Sequence, residues 1–162
     1  MPIVESSIEI AAAQADLFDL TQDYGSRLEW DPFVRSMRFT DGASGAGLGV
    51  RVWVRAKSGL SMEVVFVTFE RPRAVAMKMV AGPPFFKHFA GSWRFDALGP
   101  ERTRVLFKYN FETRWALLRP AFNAVIHRVF SRDIEQRLAG LKKAAETSDI
   151  LLRLRAERPR QS

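Results

Sequence analysis

Six stretches of alternating apolar and polar residues follow one another between Val34 and Arg114, each parted from the next by a break containing glycine or proline. No other feature of the chain limits its folding as much. The expected strands cover residues 34–40, 50–56, 60–70, 74–80, 86–96 and 102–114. The breaks carry turn chemistry: Asp41-Gly42 with Gly45, Gly47 and Gly49, then Ser58-Gly59, Arg71-Pro72, Gly82-Pro83-Pro84 and Gly99-Pro100. Connections this short leave no room for a crossover helix, so the strands must be mostly antiparallel neighbours. One face of the resulting sheet is apolar, with Val50, Val52 and Val54, then Val64 and Phe66, Met77 and Met79, Phe89, Trp93 and Phe95, and Val105, Phe107, Tyr109 and Phe111. The opposite face of the last strand carries Arg102, Arg104, Lys108, Asn110 and Glu112, as in a sheet wet on one side only.

The dry face needs a cover, and the segment 115–146 is the one candidate, roughly 30 residues and on the order of 45 Å if helical. Leu118, Phe122, Val125, Ile126, Val129, Phe130, Ile134, Leu138 and Leu141 recur at helical spacing and form a wide apolar face. Pro120 suits a first helical turn. Asp133 and Arg137 stand four apart within the apolar arc, a spacing that predicts a mutual ion pair. Ahead of the six strands, 3–10 alternates as a further strand. Residues 11–22 take helical spacing, and 27–30 form a second short helix that must end before Asp31-Pro32. Trp30 is expected to pack these short helices against the sheet rim. The fold class is therefore α+β: a bent seven-stranded antiparallel sheet, two short helices after the first strand and one long C-terminal helix. The expected partition is a domain over 1–147 and a basic C-terminal tail over 148–162, where Arg153, Arg155, Arg158 and Arg160 crowd beside Glu157 and read as a solvated end.

Charge and composition narrow the function. The 162 residues carry a net charge of +7, which favours weak contact with anionic surfaces through the basic tail, with no specific nucleic acid predicted. There is no cysteine, so disulfides and thiolate metal sites are excluded, and a reducing, cytoplasmic setting is expected. The N-terminus lacks the pattern of a signal peptide, and charged residues interrupt every apolar run before it reaches the ~20 residues of a transmembrane segment. His88 and His127 are the only histidines: the first falls on the wet face of its strand, the second at the edge of the helical apolar arc. Neither is placed as a general base, and no metal site is expected. The glycines of 42–49 lead into a strand and not a helix, so they are not a dinucleotide fingerprint, and no cofactor is predicted. Tyr109, between Phe107 and Phe111, is the strongest inward polar group and the single weak catalytic candidate. Its hydroxyl would orient a ligand oxygen or bond a backbone partner.

Ile8-Glu9-Ile10 with Ala15, Phe18 and Asp23, then Glu29-Trp30-Asp31-Pro32, Gly91-Ser92-Trp93-Arg94-Phe95 and the helix end Arg137-Leu138-Ala139-Gly140-Leu141-Lys142 together resemble the SRPBCC superfamily, the START and Bet v 1-like proteins. The resemblance covers roughly residues 2–146. Within the superfamily the chain is most similar to the polyketide cyclase and dehydrase-like branch, which also includes coenzyme Q-binding and ribosome-association proteins. The resemblance implies a helix-grip fold with a deep apolar cavity between sheet and helix. The residues placed to line such a cavity and bind its ligand are Val54, Phe66, Met77, Met79, Phe89, Trp93, Phe107, Tyr109 and Phe111 on the sheet, with Phe122 and Ile126 on the helix. The glycine loop at 42–49 is placed to gate it, and Phe85 and Phe86, exposed near their turn, to form its mouth or touch a membrane. Binding or transport of an apolar small molecule or lipid is the function this implies. A polyketide cyclase or dehydratase activity using Tyr109, or a ribosome or protein partner of the basic surface, are the alternatives.

Overall fold

The structure, a computed structural model, describes residues 3–114 and 120–157. The seven expected strands are present as β1 (Ile3–Ile10), β2 (Val34–Phe39), β3 (Arg51–Ala56), β4 (Ser61–Glu70), β5 (Ala74–Ala81), β6 (Phe86–Gly99) and β7 (Arg102–Thr113). They form one sheet in the order β1-β7-β6-β5-β4-β3-β2, antiparallel throughout. Five of the six pairings join strands consecutive in sequence, which follows from the short turns. The long connection through α1 (Gln14–Gln22) and α2 (Arg27–Trp30) instead carries the chain from β1 at one edge to β2 at the other.

Helix α3 (Pro120–Thr147) lies on the apolar face and packs chiefly on β1 and β7, completing the helix-grip arrangement. Pro120 is its first residue, and the expected helical stretch 115–119 lies outside the described residues. The lower half of the apolar stripe is buried at Phe130, Ile134, Leu138 and Leu141. The upper half is not: Val125 is 59% exposed and Val129 47%. The sheet bends away from this end of the helix, and the two separate.

The reading of 148–162 as a solvated end is corrected over 150–157. Those residues form a short helix, α4 (Ile150–Glu157), with Ile150 and Leu151 buried. Arg155 reaches Asp16 of α1 at 2.5 Å and Arg153 reaches Glu29 of α2 at 2.7 Å. Spacing alone could not show this, because two apolar residues among arginines make too short a pattern to declare a buried face.

The core runs through Phe18, Phe66, Trp93, Phe95, Phe107 and Phe111. Trp30 is buried and meets Trp93 edge to face at 6.2 Å, packing the short helices on the sheet.

Candidate ligand cavity

Where α3 leaves the sheet, a cavity of about 300 Å³ opens between them. Its wall comes from β2 (Met37), β3 (Val54), β4 (Met62, Val64), β5 (Met77), β6 (Phe89, Gly91), β7 (Phe107, Tyr109) and the upper α3 (Ile126, Val129, Phe130). Gly91 lies against the Tyr109 ring, where a Cβ would stand at 3.4 Å, an ordinary van der Waals contact. Met37, Val54, Met62, Met77 and Phe89 point inward yet are only partly buried, as expected of side chains that face a void and not a packed neighbour.

Of the residues placed on this wall from sequence, Val54, Met77, Phe89, Phe107, Tyr109 and Ile126 line the cavity. Phe66, Trp93 and Phe111 do not: all three are buried in the core beneath it, Trp93 stacked on Phe107 at 4.1 Å. Alternation assigns a residue to a face but cannot say whether that part of the face is covered by packing or by empty space. Met79 lies outside the lining, close to Gly82. Phe122 also lies outside and meets Phe85 edge to face at 5.8 Å. Phe85 and Phe86 both line the cavity, but neither is an exposed wedge: Phe86 is 3% exposed and stacks on Phe130 at 5.9 Å. No residue of the 42–49 loop lines the cavity, so the expected gate is absent from its wall. His88 and His127 are both exposed and outside it.

One end of the cavity is polar, through residues that sequence reasoning passed over. Arg27 is 2% exposed and Asp31 1%. Asp31 Oδ2 accepts hydrogen bonds from Arg27 Nε at 2.8 Å and from Arg137 Nη2 at 2.9 Å and Nε at 3.2 Å, while Oδ1 accepts from the Phe33 N–H at 3.0 Å. Arg137 thus pairs with Asp31, 106 residues away, and not with Asp133, which overturns the ion pair expected from their spacing. Aromatic rings frame both guanidinium groups: Arg27 lies 4.7 Å from the Trp30 ring centre, and Arg137 lies 4.7 Å from those of Phe33 and Phe107.

Tyr109 is buried on the wall, and its hydroxyl accepts a hydrogen bond from Arg137 Nη1 at 2.5 Å. Its partner is a side chain and not the backbone. Burial pushes the Tyr109 phenol up and outweighs the Arg137 charge, so it remains a proton donor. Burial works against the charge of Asp31, yet Arg137 and Arg27 hold its carboxyl below the usual range. The half-buried Asp133 also lines the cavity, and burial raises its carboxyl against the opposing pull of Arg137 and Arg132. Arg137 and Asp133 in the middle of an apolar stripe were the sequence signal for this cluster. Nothing local pointed to Asp31 or Arg27.

The family described as polyketide cyclase / dehydrase and lipid transport matches residues 1–146, and the chain belongs to it. No curated protein sequence matches the chain. Among solved structures, a START superfamily protein from Mycobacterium smegmatis superposes with a TM-score of 0.73 at 14% identity, covering 89% of this chain and 97% of that one. The Zhui aromatase/cyclase from a Streptomyces species gives 0.69 at 18% identity, covering 90% and 96%. A truncated norcoclaurine synthase from Thalictrum flavum gives 0.68 at 11% identity, covering 90% and 94%. At these identities the likeness is one of fold, which does not by itself fix function.

Proposed function

We propose that the chain binds and carries an apolar small molecule or lipid in the cavity between the sheet and the upper half of α3, working in the cytoplasm. The observation that supports this is the wall itself: Met37, Met62, Met77, Phe89, Phe107 and Ile126 surround about 300 Å³ of space and make most of its lining apolar. Unbranched thioethers and aromatic rings adapt to varied apolar shapes. Burying an apolar body there returns about 25 cal/mol per Å² before the costs of association. The absence of cysteine suits a reducing compartment.

Titration with a fluorescent apolar probe tests the reading. Wild-type protein should take it up, and Phe107→Ala, which alters the wall, should weaken uptake about tenfold or more. Unchanged uptake by a folded Phe107→Ala protein would sink the proposal. A second reading, a cyclase or dehydratase, is favoured by Tyr109 and Asp133 lining the same cavity. It requires turnover of a polyketide-like substrate that disappears in Tyr109→Phe.

A further inference from the structure

Apolar contacts account for the wall but not for the excess of positive charge at its polar end. Arg27 and Arg137 share the one buried carboxylate of Asp31. Arg27 uses Nε on Asp31 and Nη1 on the Thr21 carbonyl, and its Nη2 has no hydrogen-bond partner among the described residues. This side chain is 2% exposed and lines the cavity. Tyr109 accepts from Arg137, and its own hydroxyl proton has no acceptor among the described residues. A charged donor that borders an apolar cavity gains a charge-assisted hydrogen bond from an anion placed against it. The other charged groups lining the cavity are Lys57, which is exposed, and the half-buried Asp133.

We propose that the ligand ends in an anionic oxygen group, a carboxylate or an ionised enol or phenol, seated on Arg27 and the Tyr109 hydroxyl while its apolar body fills the methionine and phenylalanine wall. This rests on the ligand-binding reading above and names the class of ligand. Charge-assisted hydrogen bonds are the stronger kind, and here both donors are held in place, Arg27 by Asp31 and Tyr109 by Arg137. Asp133 opposes an anion at this end, so it sets a limit on affinity that a neutral side chain would lift.

The test is calorimetric titration of the full chain with naphthoate and with its neutral isostere naphthamide. Naphthoate should bind about tenfold or more tightly than the amide. That preference should shrink in Arg27→Gln and in Tyr109→Phe, and widen in Asp133→Asn. Arg27 also supports Asp31, so its variant is the one at risk of misfolding. Tyr109→Phe and Asp133→Asn alter the site without removing an ion-pair partner and keep the test decisive. Equal affinity for the two probes, or a preference unmoved by both of these variants, overturns the anionic head while leaving an apolar cavity intact. Failure of both probes to bind removes the cavity reading and the head group with it.

Discussion

At Asp31, one carboxylate oxygen takes three hydrogen bonds from two arginines and the other takes a backbone N–H, all out of contact with solvent. Taking two charges out of water is costly, and removing one partner leaves the other uncompensated. Asp31→Asn is expected to cost about 3–5 kcal/mol of stability, since both guanidinium groups stay buried without their shared anion. The pH dependence follows from the lowered carboxyl. A group whose folded value lies below its unfolded value stabilises the protein above the ordinary carboxylate range, and this is lost as pH falls through the folded value. Urea unfolding from neutral to acid pH should therefore show a wild-type loss that is blunted in Asp31→Asn. Parallel curves would show that Asp31 is not the titrating partner. This cluster was half legible in the sequence: Arg137 stood out in an apolar stripe, but the four-residue rule offered Asp133 because it sees only one helix.

Between elements, α3 comes close to the end of α2 and the residues that follow it at Gly140. A methyl group on Gly140 would fall inside van der Waals contact of the Trp30 carbonyl oxygen and 3.2 Å from Pro32 Cδ. Alanine is the better helix former by about 1 kcal/mol. The clash is with backbone, which cannot rotate aside, so Gly140→Ala should still destabilise by about 1–3 kcal/mol. It should also push α3 off Trp30 and loosen Arg137 from Asp31. Thermal unfolding checks the sign, and an equal or higher melting temperature would mean that the helix can shift at no cost. Gly140 was part of the sequence resemblance, but its reason is tertiary: only glycine lets the helix touch a carbonyl there.

Over the whole molecule, α4 ties the C-terminal segment to the first two helices. Removing 148–162 deletes α4, the burial of Ile150 and Leu151, and the ion pairs of Arg153 with Glu29 and Arg155 with Asp16. Burial of a Leu or Ile side chain is worth about 1.5–3 kcal/mol, and an exposed ion pair about 0–1 kcal/mol. Denaturant titration of the truncated chain should show a loss of several kcal/mol, carried by the two apolar residues. If the segment were a solvated appendage, stability would be unchanged and only salt-sensitive adhesion to anionic vesicles would fall.

Strand number, antiparallel order, the two short helices and the long closing helix were determined by the sequence itself, because local periodicity and turn chemistry act over a few residues and are read directly from them. The cavity wall was legible only as a face. Which inward residues pack and which meet empty space, the pairing of Arg137 with Asp31, the burial of Arg27 and the docking of α4 were decided by the tertiary structure. Each depends on how far a curved sheet departs from a straight helix and on contacts between residues as much as 139 positions apart, distances over which no local pattern carries information.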